Sequence, residues 1–185
     1  MDRREVRAFI DTNALLIGAV NLTLEKEETA EVQVVRRLLK GEVKLVTSLK
    51  QLEELTVASR RVLGRDFAGW IRYLILAQIN PLIIRKPEYS KTEKKYVNRI
   101  PDEDLTHFAV AVAGKAQYLV SENHEFLRKA AECKIIKCVT STEFIKEIKS
   151  RRPKLKTSAG KVIRKMRDER ETHIFGFEQH REEIH

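Results

Sequence analysis

Four acidic signatures follow one another along the 185-residue chain. They are Asp11 in AFIDTNALL, Glu54 in SLKQLEELTVASRRVL, Asp104 in IPDEDLTHFAVAVAGKA, and Asn123 with Glu125 in YLVSENHEFL. Carboxylates far apart in sequence, each at a strand end or on an adjoining helix, are what a fold gathers to hold a hard divalent cation. The chemistry that such a gathering serves is metal-assisted hydrolysis of a phosphodiester.

Each signature has its own logic. Apolar Phe9 and Ile10 pass straight into Thr12 and Asn13, which puts Asp11 at the carboxyl end of a strand and beside a helix start, where it could also act as a cap. Thr12 or Asn13 could offer a hydroxyl or amide to a metal-bound water. Glu53 and Glu54 are neighbours on a helix and point about 100° apart, so only one can face a given crevice. Leu52, Leu55 and Val62 mark the core side without separating the two. Asp102, Glu103 and Asp104 crowd a helix start, where negative charge is favoured in any case. Asp102, directly after Pro101, is the expected N-cap, and Asp104, in the first turn, the expected ligand. The amide of Asn123 can coordinate a hard cation but adds no charge, and Glu125 or Glu122 could compensate. His107 and His124 lie nearest these motifs, and a lone histidine on a helix reads as a partly buried polar or surface group.

Other chemistries find no support. No serine stands in a nucleophile elbow or a Ser-His-Asp order, and the glycines form no G-x-G-x-x-G. Gly64 and Gly69 have the spacing of a phosphate loop, yet Trp70 and Ile71 stand where Lys and Ser or Thr are needed.

The elements that must position these acids alternate. Strands are expected at 6–10, 43–46, 82–84, 118–120 and 135–139, and helices at 13–20, 28–40, 67–78, 104–114, 125–131 and 142–148. A further helix, capped by Ser48, should end near Gly64. Asp66 is a candidate cap for the helix from Phe67. The polar stretch 85–99, which contains Pro87, reads as a surface loop or irregular helix. Strands separated by helices predict an α/β fold, a three-layer sandwich with a central parallel sheet covered on both faces. Right-handed crossovers bring the carboxyl ends of its strands to one edge, where Asp11 and residues 121–125 both lie.

Composition sets the bounds. Residues 1–149 suffice for one domain, and 42% of the chain is hydrophobic. A formal charge of +9, from 36 Lys and Arg against 27 Asp and Glu, favours a polyanionic partner, nucleic acid before membrane. Cys133 and Cys138 alone lack the further soft ligands of a structural metal site and read as core thiols, in keeping with a reducing cytoplasm. No apolar run approaches the length of a membrane span, and the stretch before Asp11 is too short for a signal-peptide core. Residues 150–185 form a charged appended tail, part helical or solvated, in which positions 151–185 hold ten Lys or Arg against six Asp or Glu.

Taken together, the motifs resemble those of the PIN domain, a nuclease family related to the N-terminal domain of PilT. The matching residues are Asp11-Thr12-Asn13, Glu54-Leu55 after Thr47-Ser48, Asp104 with Ala109, Ala111, Ala113, Gly114 and Ala116, and Leu119-Val120-Ser121 with Asn123 and Glu125. The resemblance spans about residues 5–148. It implies a parallel sheet flanked by helices and cleavage of RNA, usually single-stranded, that depends on Mg2+ or Mn2+. Asp11 and Asp104 would be the principal ligands, and Glu54 a second-metal ligand or water-orienting base. Asn123 with Glu125 would complete the shell, with Ser121 in support. Arg60, Arg61, Lys94 and Lys95 would neutralise the RNA backbone. It further implies either the toxin of a toxin–antitoxin pair or an RNA-processing enzyme, with an antitoxin or other protein partner and a homodimer in view. A catalytically weak module that binds RNA or protein is the alternative.

Overall fold

The computed structural model describes residues 5–24 and 28–151. The tail expected from residue 150 lies, beyond Arg151, outside the described residues.

Five short strands, β1 (Arg7–Ile10), β2 (Lys44–Ser48), β3 (Leu82–Ile84), β4 (Tyr118–Val120) and β5 (Lys137–Val139), form one sheet in the order β3-β2-β1-β4-β5. Every pairing is parallel, with Phe9 opposite both Val46 and Leu119. The chain steps outward from β1 to β3, then crosses back to β4 on the other side of β1. The strand order therefore reverses between β1 and β4, and the crevice at such a switch point opens at their carboxyl ends.

Seven helices among the described residues cover the sheet: α1 (Thr12–Thr23), α2 (Ala30–Leu39), α3 (Leu49–Tyr73), α4 (Lys86–Tyr96), α5 (Asp102–Ala113), α6 (His124–Glu132) and α7 (Ser141–Arg151). Side chains alternate across a strand, so β1 feeds two cores. Ala8 and Ile10 join Leu15, Val35, Leu55, Ile71 and Phe144 on one face. Phe9 joins Tyr89, Tyr96, Phe108, Ala109 and Phe126 on the other. The expected three-layer α/β sandwich is thus the observed one. Tyr118, Phe9, Phe108, Phe126 and Phe144 are its largest fully buried side chains.

The sequence expectations need two corrections. The stretch 85–99 contains a regular helix, α4. Its Pro87 lies in the first turn, where no N–H is needed, and Tyr89 and Tyr96, two turns apart, are buried against the second core. The helix from Ser48 breaks at Gly64 as expected (φ 86°, ψ −174°), and the second segment of α3 beyond it runs to Tyr73 and passes into a π-helical turn, Leu74–Ile79. Asp66 lies at the start of that second segment, two residues after the break. Asp102 is the first residue of α5, and Pro101 occupies the cap position. Both cysteines are free and partly buried. Burial first, then Cys133, pushes the Cys138 thiol up to about 11, so it stays protonated at neutral pH.

Helices α1 and α2 touch at Gly18. A Cβ there would lie 2.5 Å from the Glu31 carbonyl oxygen and 2.7 Å from Val35 Cγ2. Gly18→Ala should destabilise the protein by about 2 kcal/mol in urea unfolding, because overpacking outweighs the gain in helix propensity. A rise in stability would mean that the two helices do not pack this closely.

Candidate functional site

Asp11 follows the last residue of β1 and is the N-cap of α1. Its own N–H donates to Val120 O on β4 (2.8 Å), which fixes the backbone at the switch point. The carboxylate is held on both oxygens, since Thr12 N–H donates to Oδ1 (2.7 Å) and Ser121 Oγ–H to Oδ2 (2.8 Å). Hydrogen bonds to a charged acceptor are worth about 1.5–3 kcal/mol each. With its side chain 14% exposed, Asp11 is a fixed, largely desolvated negative charge at the mouth of the crevice.

Glu54 reaches the same edge because α3 is locked in rotation. Ser48 Oγ caps its first turn at Gln51 N–H (3.2 Å), and buried Gln51 accepts from Thr47 Oγ1 (2.7 Å) while donating through Nε2 to Ile10 O (2.7 Å). Glu54 is three residues on, on the same face, whereas Glu53 points to solvent. Of these two acids, Glu54 is the one that reaches His107.

Asp104 is distinguished from Asp102 and Glu103 in the same way, for those two are exposed while Asp104 is half-buried. Its carboxyl is pushed up to about 6, first by burial, then by the negative charge of Asp11, with Glu103 and Glu125 adding to the rise and His107 opposing it. Asp11, Asp104 and Glu125 thus share one electrostatic neighbourhood.

His107, not expected to take part, lies at the centre. It is three residues beyond Asp104 on the same face of α5 and is buried. Its Nε2 is 2.8 Å from Glu54 Oε2 and its Nδ1 3.9 Å from Asp11 Oδ1. The i, i+3 spacing from Asp104 was the signal in the sequence. Lys50 Nζ lies 3.9 Å from Glu54 Oε1 and donates to Thr106 Oγ1 (3.2 Å), which in turn donates to Glu93 of α4 (2.7 Å).

The remaining residues take different places. Asn123 caps α6, its Oδ1 accepting from the N–H groups of Glu125 and Phe126 (3.1 and 3.2 Å). Ser121 Oγ also accepts from Asn123 N–H (3.1 Å). Glu125 is exposed in the first turn of α6, and Glu122 Oε1 accepts from Ser141 N–H (2.8 Å), at the start of α7. Asn13 and His124 are exposed, while the Thr12 hydroxyl is buried without a hydrogen-bond partner. Arg60 and Arg61 are exposed on α3, about 10 Å along the helix from Glu54. Lys94 and Lys95 are exposed at the end of α4.

Among the described residues, no three His, Cys, Asp or Glu side chains converge into a metal-ligand cluster. The donor set nevertheless fits a hard cation. Asp11 and Asp104 offer carboxylate oxygens whose charges oppose one another, and Mg2+ is typically held by one or two carboxylates with water completing the shell.

Comparison with known proteins places this geometry in context. Residues 7–125 match the family described as PIN domain. Among solved structures, VapBC2 from Rickettsia felis, bound to a DNA fragment from its promoter, aligns with a TM-score of 0.50 and 16% identity over 73% of this chain and 98% of that one. VapBC-1 from nontypeable Haemophilus influenzae aligns with a TM-score of 0.48 and 16% identity over 74% and 99%. No curated protein matches.

Proposed function

Because the chain belongs to the PIN domain family, whose members are in general nucleases, we propose that it is an endoribonuclease that cuts single-stranded RNA with a divalent cation. The observation that carries this reading is the opposed acid pair at the switch point, in which the charge of Asp11 helps raise the pKa of Asp104 to about 6. A divalent cation resolves that opposition. Mg2+ or Mn2+ held by Asp11 and Asp104 would supply a water of lowered pKa and positive charge against the phosphate.

The protein's own groups do the rest. Thr12 N–H and Ser121 Oγ–H keep Asp11 aimed into the crevice. Asn123 orders the first turn of α6, which carries Glu125. Glu54 faces the crevice from α3. Arg60, Arg61, Lys94 and Lys95, all exposed, meet RNA phosphates and release their counterions.

The reading extends to the toxin of a toxin–antitoxin pair or an RNA-processing nuclease, with an antitoxin or other protein partner and a second copy of the chain as associates. Likeness in fold to the VapBC2 chain supports the first of these. A second reading, a catalytically weak module that binds RNA or protein, is favoured by one observation, the lack of a three-ligand cluster among the described residues.

Incubation of labelled single-stranded RNA with Mn2+, with Mg2+ and with EDTA separates the two. Cleavage in either metal and none in EDTA is the expected result. Retention of the RNA without cutting in either metal would favour the binding module.

A further inference from the structure

Lys50 stands one turn before Glu54 on the same face of α3. Its ammonium lies 3.9 Å from Glu54 Oε1, an ion pair too long for a hydrogen bond, and donates to Thr106 Oγ1 at 3.2 Å. Thr106 is 7% exposed and donates its own hydrogen bond to Glu93 Oε1 of α4 at 2.7 Å. A hydroxyl has one donor and two lone pairs, so the bond to Glu93 leaves Oγ1 an acceptor toward Lys50. An ammonium has three N–H donors. Thr106 takes one, and because the side chain is half exposed the others are open to a ligand arriving from solvent.

This anchoring sets Lys50 apart from Arg60 and Arg61, which are exposed about 10 Å further along α3 than Glu54. A lysine stem held in the free protein has already given up rotamer freedom that a loose one loses on binding, so its charge is presented at a fixed place. That place follows from the order of groups across the crevice, Lys50, Glu54, His107, Asp11. Glu54 and Asp11 face the two nitrogens of the imidazole, at 2.8 and 3.9 Å. Lys50 therefore lies beyond Glu54, a carboxylate and a ring away from Asp11. The acids of the crevice repel the phosphates of an entering strand, and a fixed ammonium on the α3 side offsets that repulsion.

We infer that Lys50 is a substrate-binding residue, which holds a non-bridging oxygen of an RNA phosphate flanking the cut, and that Thr106, oriented by Glu93, is the positioning residue that anchors it. This rests on the nuclease reading above. The N–H groups not used by Thr106 donate to that phosphate, whose bonds do not change. The phosphate beside Asp11 and Asp104 is a different one, so Lys50 acts on KM and leaves kcat alone.

The test uses the full chain and two readouts. One is the affinity for labelled single-stranded RNA, by fluorescence anisotropy in EDTA between about 50 and 200 mM salt. The other is kcat with KM in Mn2+. On a single strand each phosphate contact contributes about 0.7 to the slope of log affinity against log salt. Lys50→Gln should flatten the slope by about 0.7, weaken binding about 3–10-fold at the lowest salt and raise KM in step. Lys50→Arg should keep the wild-type slope. Thr106→Val should weaken binding about 3-fold at unchanged slope, since the contact survives without its anchor, and Thr106→Ser should restore it. Lys115→Gln removes an equal charge from an exposed turn before β4, at the amino ends of the strands, and should change neither readout. A wild-type slope in Lys50→Gln would overturn the inference, as would a slope flattened equally by Lys115→Gln. A fall in kcat of at least about 10-fold at unchanged KM would put the ammonium on the reacting phosphate and overturn it too. Thr106→Val binding as tightly as wild type would remove the positioning role. If the slope flattens in Lys50→Gln but wild type cuts no RNA, the nuclease reading fails while the phosphate contact stands. If wild type cuts RNA and the slope does not change, the reading stands and the contact fails. No RNA binding by wild type would overturn both.

Discussion

Asp11→Asn should slow metal-dependent RNA cleavage by at least about 1,000-fold, equivalent to about 4 kcal/mol of transition-state stabilisation. The substitution is nearly isosteric. Asn is as good an N-cap as Asp, so the start of α1 should survive, and an amide oxygen can still accept from Thr12 N–H or Ser121 Oγ–H. What disappears is the charge. Because the side chain is largely desolvated and fixed at the edge shared by β1 and β4, no neighbouring acid can swing in to replace it. The rate and the thermal midpoint should be measured together. A loss below 10-fold with the metal requirement intact would move the ion away from Asp11.

Asp104→Asn should have two opposite effects. In the metal-free protein the Asp104 carboxyl is raised from 3.8 to about 6, first by burial and then by Asp11. The folded state therefore holds this proton to higher pH than the unfolded state does. Stability falls as pH rises from about 4 through about 6, and the penalty is fully present at pH 7. Asn removes it. In EDTA at pH 7 the variant should be more stable by on the order of 1 kcal/mol, a figure reduced for partial exposure, and should melt a few degrees higher. Added Mn2+ should stabilise wild type by mass action and leave the variant unchanged, and cleavage should drop at least about 100-fold. The acid at position 104 would then cost stability in the empty protein and be retained for what it binds. A variant less stable than wild type in EDTA at pH 7 would contradict this.

The fold was legible because its strands are short apolar runs set between amphipathic helices, and the strand–helix alternation leaves few topologies open. Helix α4 was not legible, since Tyr89 and Tyr96 are its only buried residues and two positions make no periodicity. The break at Gly64 was visible, and so was the helical segment after it, whose Phe67 and Ile71 pack in the first core; its π-helical ending was not. Within the site, spacing placed the acids on their elements, while the choice between Glu53 and Glu54 needed the tertiary lock from Gln51 to Ile10 O. Three contacts with partners 41 to 110 positions away in sequence, Gln51 with Ile10, His107 with Glu54 and Ser121 with Asp11, leave no mark in local composition. Asn123 reads in the sequence as a ligand, while in the fold its Oδ1 accepts two N–H groups of α6.

That Asp11 and Asp104 together hold a divalent cation is tested most directly by titrating Mn2+ into wild type, Asp11→Asn and Asp104→Asn at pH 7, followed by calorimetry. The expected result is saturable binding by wild type that weakens at least 10-fold in each variant. Equal affinity in either variant, or no binding by wild type, would contradict it.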